Sequence, residues 1–158
     1  MAKVRITTEM NLRTADGIPL IMEKIPAKVM DEMLRAEADV VEPRIRENAR
    51  RMLNEGGHST GATEKAVTRR KPTFGRGDDG KQVREILITF TGTRDDKTHR
   101  GGKDADKRNA AIAFINEFGS KKRGVRARKF IEQAVVSMEK AAQDAGEAVF
   151  EKWAKNNV

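Results

Sequence analysis

The sequence predicts an α+β fold in which a small antiparallel sheet packs against two long helices. Three observations carry that prediction. Residues 27–54 and 128–155 each repeat apolar side chains every three or four positions, the signature of one buried stripe along a helix. Residues 83–91 form a β-branched run, Val-Arg-Glu-Ile-Leu-Ile-Thr-Phe-Thr, bounded by polar, glycine-bearing segments. The order of elements, strand, helix, strands, helix, suits helices laid on one sheet. At 158 residues, 1–158 is expected to be one domain.

Residues 4–8 alternate and are β-rich, predicting a short first strand before the Ala15-Asp16-Gly17 turn signal. The N-terminal helix follows, with Pro26 suited to its start and a stripe through Val29, Met33, Val40 or Val41, Ile45, Ala49 and Met52 or Leu53. Pro43 lies inside the pattern, so this helix is expected to be kinked or divided near Glu42. Gly56-Gly57 is its expected stop. Residues 56–82 are expected to be loop with one strand near 66–71 and a flexible turn at 75–80, and the main strand is expected at 83–91. Residues 92–108 are expected to form a mobile polar loop. The short apolar run 110–118 reads as a strand pairing with the previous one, and Gly119 breaks it. The C-terminal helix, about 128–155, carries Ile131, Ala134 or Val135, Met138, Ala141 or Ala142, Ala145, Val149 and Trp153 on one face.

Composition bounds the function. Apolar residues make up 37% and charged residues 35%, with seven aromatic side chains and no cysteine. That composition excludes disulfides, thiolate metal sites and a cysteine nucleophile. No apolar run approaches the roughly 20 residues that cross a membrane, and the first residues lack the apolar stretch of a secretory signal. A soluble chain made in the cytosol is therefore expected. The net charge of +8 is uneven: residues 94–129 carry +7, residues 130–158 carry −2, and residues 121–129 hold six cations and no anion. Such a block attracts polyanions or keeps a solvated loop soluble.

No catalytic constellation emerges. His58 and His99 are far apart without metal-ligand spacing, and Ser59 and Thr60 beside His58 do not make a triad. Asp78-Asp79 and Asp95-Asp96 lie among turn formers. Gly75-Arg76-Gly77 lacks the strand and helix that a phosphate loop needs. Glu117, just ahead of the cations, has no second acid in its motif, and pairing with an arginine, on this chain or a neighbouring copy, is the favoured reading. A metal-dependent hydrolase built on these acids is the remotest alternative. The closer one is a small basic protein contacting nucleic-acid phosphates non-specifically through 94–129.

Two motifs carry a resemblance. Ser59-Thr60-Gly61-Ala62 after a long helix is similar to a threonine-glycine element of the tail-completion, or head-to-tail joining (neck), proteins of long-tailed bacteriophages. The run Asn109 to Ser120 ending in Glu117-Phe118-Gly119, then a basic loop, then Arg128-Lys129-Phe130 opening the last helix, resembles that family's second motif. Ser120 replaces the usual threonine, Lys129 stands where proline is common, and Ala62 and Ala66 stand where leucine and serine are common. The tyrosine that usually opens the strand is missing. The resemblance spans about residues 27–155. It implies a non-enzymatic virion subunit at the tail or neck, without cofactor or metal and without a membrane partner. Such a subunit assembles as a ring, a hexamer by resemblance, between the tail-tube or tail-terminator protein and the head connector, with DNA passing its lumen. The assembly interface it implies comprises Thr60, Gly61, Glu117, Phe118, Gly119, Arg128 and Phe130. Lys121, Lys122, Arg123 and Arg126 would form a loop facing DNA or a partner.

Overall fold

The computed structural model describes residues 4–7, 25–53, 61–76, 82–93 and 108–157. Its elements are β1 (Val4–Thr7), α1 (Ala27–Leu53), α2 (Ala62–Ala66), β2 (Val67–Arg69), β3 (Thr73–Arg76), β4 (Gln82–Phe90), α3 (Asn109–Phe118) and α4 (Phe130–Asn157). The α+β architecture is as expected: α1 and α4 lie along each other against a small antiparallel sheet.

β4 is the centre of that sheet. β1 pairs with one edge, Val4 opposite Ile88, while β2 and β3 share the other. Arg69 pairs with Ile88, but Thr73 pairs with Glu85, so four steps on one strand face three on β4. The extra residue is a β-bulge around Pro72, where proline's missing N–H costs the ladder nothing. Ile86, Ile88 and Phe90, two apart, are all buried under the helices.

One core joins these side chains to Leu34, Ala38, Val41 and Ile45 of α1 and to Phe130, Ile131 and Ala134 of α4. Phe90 and Phe130 meet edge to face, with ring centroids 6.0 Å apart. A second cluster, Ile25, Val29, Met33 and Phe150, closes the far end of the helix pair. α1 runs through Pro43 without dividing. A proline inside a helix costs about 3 kcal/mol, and burial of Val41 and Ile45 on either side offsets it at roughly 1.5–3 kcal/mol per side chain.

Polar contacts fix the layers. Both Arg84 guanidinium nitrogens that face Asp31 donate to its carboxylate, at 2.6 and 2.9 Å, joining β4 to α1. Arg46 donates to the Glu64 carbonyl at 3.2 Å and to the carboxylate of Glu42, tying α2 to α1. Asn48, buried on α1, donates to the Phe130 carbonyl at 3.0 Å.

Three expectations are corrected. Residues 109–118 form a helix, not a strand: Ala110, Ala113 and Glu117 are buried while Phe114 and Phe118 are exposed, a period of three to four. A short apolar run does not distinguish the two by pattern, and the burial of Ala110, Ala113 and Glu117 selects the helix. Gly75 and Arg76 belong to β3 rather than to a turn, because β4 supplies their partners. Residues 62–66, expected to be loop, form the five-residue helix α2. The expected helix stop at Gly56-Gly57 and most of loop 92–108 lie outside the described residues.

Candidate functional site

The sequence motif around Glu117 folds into a junction between the end of α3 and the start of α4. α3 is anchored at its first residue: the Asn109 N–H donates to the Gly92 carbonyl at 3.1 Å, and its side-chain amide to the Thr91 carbonyl at 2.9 Å. At the other end Gly119 has φ +78°, and its N–H closes the helix on the Ile115 carbonyl at 2.7 Å. A Cβ at Gly119 would lie 2.8 Å from the Ala127 nitrogen, so glycine is required by both its backbone angle and its neighbour.

The basic segment is an ordered knuckle. Ser120 and Val125 exchange backbone hydrogen bonds of 2.8 and 3.0 Å around one turn of 3-10 helix, Lys121–Arg123. The chain then returns along α3, the Arg128 N–H donating to the Asn116 carbonyl at 2.7 Å. The Arg128 guanidinium reaches across to the Met52 carbonyl in the last turn of α1. Lys129 has φ +51°, a backbone angle that a proline ring cannot adopt. At this position the resemblance to an arginine-proline-phenylalanine start does not extend to the backbone.

Glu117 sits at the centre. It is 4% exposed, and its two carboxylate oxygens accept the N–H groups of Ile131, at 2.8 Å, and Glu132, at 2.9 Å. These are orphan donors in the first turn of α4, so a side chain from one helix caps the next. The negative charge also faces the positive end of the α4 dipole. The expected pairing of Glu117 with an arginine is thus replaced by a bond to backbone inside the same chain.

The expected interface residues therefore separate. Glu117, Gly119 and Phe130 are structural, Phe130 being fully buried. Arg128 is half-buried and engaged with α1. Gly61, at φ +71°, begins α2 and its carbonyl accepts from Lys65. Thr60 lies outside the described residues, as do His58, His99, Asp78, Asp79, Asp95 and Asp96. Phe118 remains outward, 63% exposed, and packs against Phe114 with ring centroids 4.9 Å apart and ring planes tilted by 50°. Lys121, Lys122, Arg123 and Arg126 are exposed beside it, and Phe118, Lys121 and Arg126 line a shallow groove of about 440 Å³. The aromatic pair was hidden in the sequence because reading 110–118 as a strand put Phe114 and Phe118 on one face without saying which.

A second buried carboxylate was missed entirely. Glu37 on α1 is 7% exposed and faces Gly146 of α4. Burial pushes its carboxyl up to about 7 from an ordinary 4.5. Its sequence signal was an acid on the apolar stripe of 27–54, one helical turn from Met33 and Val41.

Among the described residues no three acidic or histidine side chains converge into a metal site, and no helix is long and apolar enough to cross a membrane. No protein-family model, no curated protein and no solved structure matches this chain.

Proposed function

We propose that this chain is a structural subunit that assembles with copies of itself into a ring at the head–tail junction or tail terminus of a long-tailed phage. The observation that carries the reading is the ordered sequence of the resemblance: a long helix, Gly61, the Glu117-Phe118-Gly119 turn, a basic loop, and a helix opening at Phe130. The α+β arrangement of the described residues is compatible with it, and Glu117, the acid that looked most chemical, has structural partners instead. On this reading the chain has no catalytic role and needs no cofactor. Its neighbours are the tail-tube or tail-terminator protein and the head connector, and the copy number is six by resemblance.

Native mass spectrometry and negative-stain microscopy of the purified chain, alone and with tails or connectors, test the proposal. Closed rings, or rings formed on a tail end, are expected. A chain that stays monomeric and binds neither tails nor connectors overturns it. One observation favours a second reading, contact with nucleic-acid phosphates: Lys121, Lys122 and Arg126 are exposed and make no ion pair among the described residues. Tight duplex binding with a steep salt dependence, lost when these three become alanine, is the result that would promote it.

A further inference from the structure

Among the described residues four large apolar side chains are exposed: Phe74, Phe114, Phe118 and Val136. Phe74 is accounted for inside the chain. The Arg84 guanidinium lies 4.5 Å over its ring and is held there by Asp31. The other three fall into two patches of opposite charge. Phe118, packed against Phe114 with the rings tilted by 50°, stands beside Lys121, Lys122 and Arg126, which make no ion pair among the described residues. Val136, 68% exposed, lies on the outer face of α4 one turn from Glu132 and Glu139.

The charge around Val136 is acidic once its pairs are counted. Glu132 holds Lys129 at 2.8 Å, and Lys140 reaches Asp144 at 3.4 Å. Glu139 and Glu147, on the same exposed side, make no ion pair among the described residues. Residues 130–158 carry five acids against three lysines, whereas the knuckle has cations alone. Each patch has an apolar anchor with a charged surround, the anatomy of a contact site, and the surrounds are complementary.

We propose that these two patches are the two halves of one self-contact: the Phe114–Phe118 shelf and basic knuckle of one copy dock on the Val136 face of α4 in the next. This inference rests on the ring reading above and names the surfaces that would close it. Because the halves differ, the contact is heterologous. Each copy uses one half toward each neighbour, so the contact propagates head to tail and closes when the rotation allows. The apolar anchors supply the affinity. The charges set the register and make association weaken as salt rises.

Complementation between two half-defective chains tests this. Phe118→Ser disables the shelf and Val136→Ser the helix face. Both positions are exposed, so both full-length variants are expected to fold, as circular dichroism will check. Sedimentation velocity of the wild-type chain is expected to show assembly that decreases with salt. Each variant alone is expected to associate at least about tenfold more weakly, equivalent to ~1.4 kcal/mol. Mixed one to one, they are expected to give a dimer that grows no further, because one intact shelf meets one intact face and both other halves are spoiled. If both variants assemble like the wild type, this interface is wrong while the ring reading stands. If the wild type stays monomeric at its highest soluble concentration, and on tails, the ring reading falls and takes this contact with it. If each variant is impaired and the mixture stays monomeric, the two patches do not dock on each other and the head-to-tail contact is overturned; if each variant alone forms its own dimer, like patches pair with like and it is overturned as well. Loss of binding to a labelled single-stranded oligonucleotide in Lys121→Glu with Lys122→Glu, with self-association unchanged, assigns the shelf to a polyanion and also overturns it.

Discussion

The α1–α4 crossing and the α3–α4 junction each bury one glutamate, Glu37 at 7% and Glu117 at 4% exposure. The two differ in partners. Glu117 accepts two backbone N–H groups that would otherwise be orphaned at a helix start. The Glu37 carboxylate has no hydrogen bond among the described residues and occupies the space that a Cβ at Gly146 would need. Burial removes the same hydration from both, so hydrogen bonding decides the sign. At the junction a buried charge holds two helices in register. At the crossing it opposes the packing around it.

Breaking the junction should have the larger effect. Glu117→Ala removes two charge-assisted hydrogen bonds and leaves two N–H groups in a closed space, a loss of about 4 kcal/mol. That is a large share of the roughly 5–15 kcal/mol that stabilises a domain. Chemical denaturation should show the midpoint falling accordingly, and Glu117→Gln, which keeps one acceptor, should lie between. A loss under about 1 kcal/mol for the alanine variant would falsify the capping role.

Relieving the crossing should have the opposite sign and depend on pH. The Glu37 carboxyl titrates near 7 in the folded chain, against 4.5 ordinarily. Below 4.5 it is protonated in both folded and unfolded states and carries no penalty. As pH rises from there through 7 the unfolded chain releases its proton first, so folding stability falls, and above 7 the full penalty remains. Glu37→Gln should therefore leave stability near pH 4 almost unchanged and raise it at pH 8 by something on the order of 2–3 kcal/mol. Melting curves of both chains across pH 4–8 check this. Parallel curves mean that Glu37 finds a partner in solution.

These two carboxylates also mark where sequence reading works. The stripes on α1 and α4 and the β-branched run of β4 were legible because each buries one face with its own period. The 109–118 helix was not, since nine apolar-rich residues fit either period and only the burial of Ala110, Ala113 and Glu117 selects one. β3 was hidden behind Gly75, which reads as a turn until β4 supplies its partner. Of the site, the residues Glu117-Phe118-Gly119 were found but their roles were not. A carboxylate bonded to the backbone of a later helix has no local pattern, because Ile131 lies fourteen residues away. In the sequence Gly119 reads only as a strand breaker, whereas its requirement comes from the Ala127 backbone across the turn.

The smallest effect asks whether the crossing is tight or only unsatisfied. Gly146 lies inside α4, where alanine gains about 1 kcal/mol over glycine in helix propensity. A Cβ there would fall 2.4 Å from the nearer Glu37 oxygen and 3.1 Å from its Cγ. The oxygen can swing aside, but the Cγ is held by α1, so overpacking should exceed the propensity gain. Gly146→Ala is expected to lower stability by about 1 kcal/mol in the wild-type chain. In a Glu37→Ala background the obstructing atoms are gone, and the same substitution should become stabilising by a similar amount. Denaturation midpoints of the four chains give the coupling directly. A change of sign places the strain in the Glu37–Gly146 contact. Stabilisation by Gly146→Ala in both backgrounds means that the crossing has room, and the cost of Glu37 is then desolvation alone.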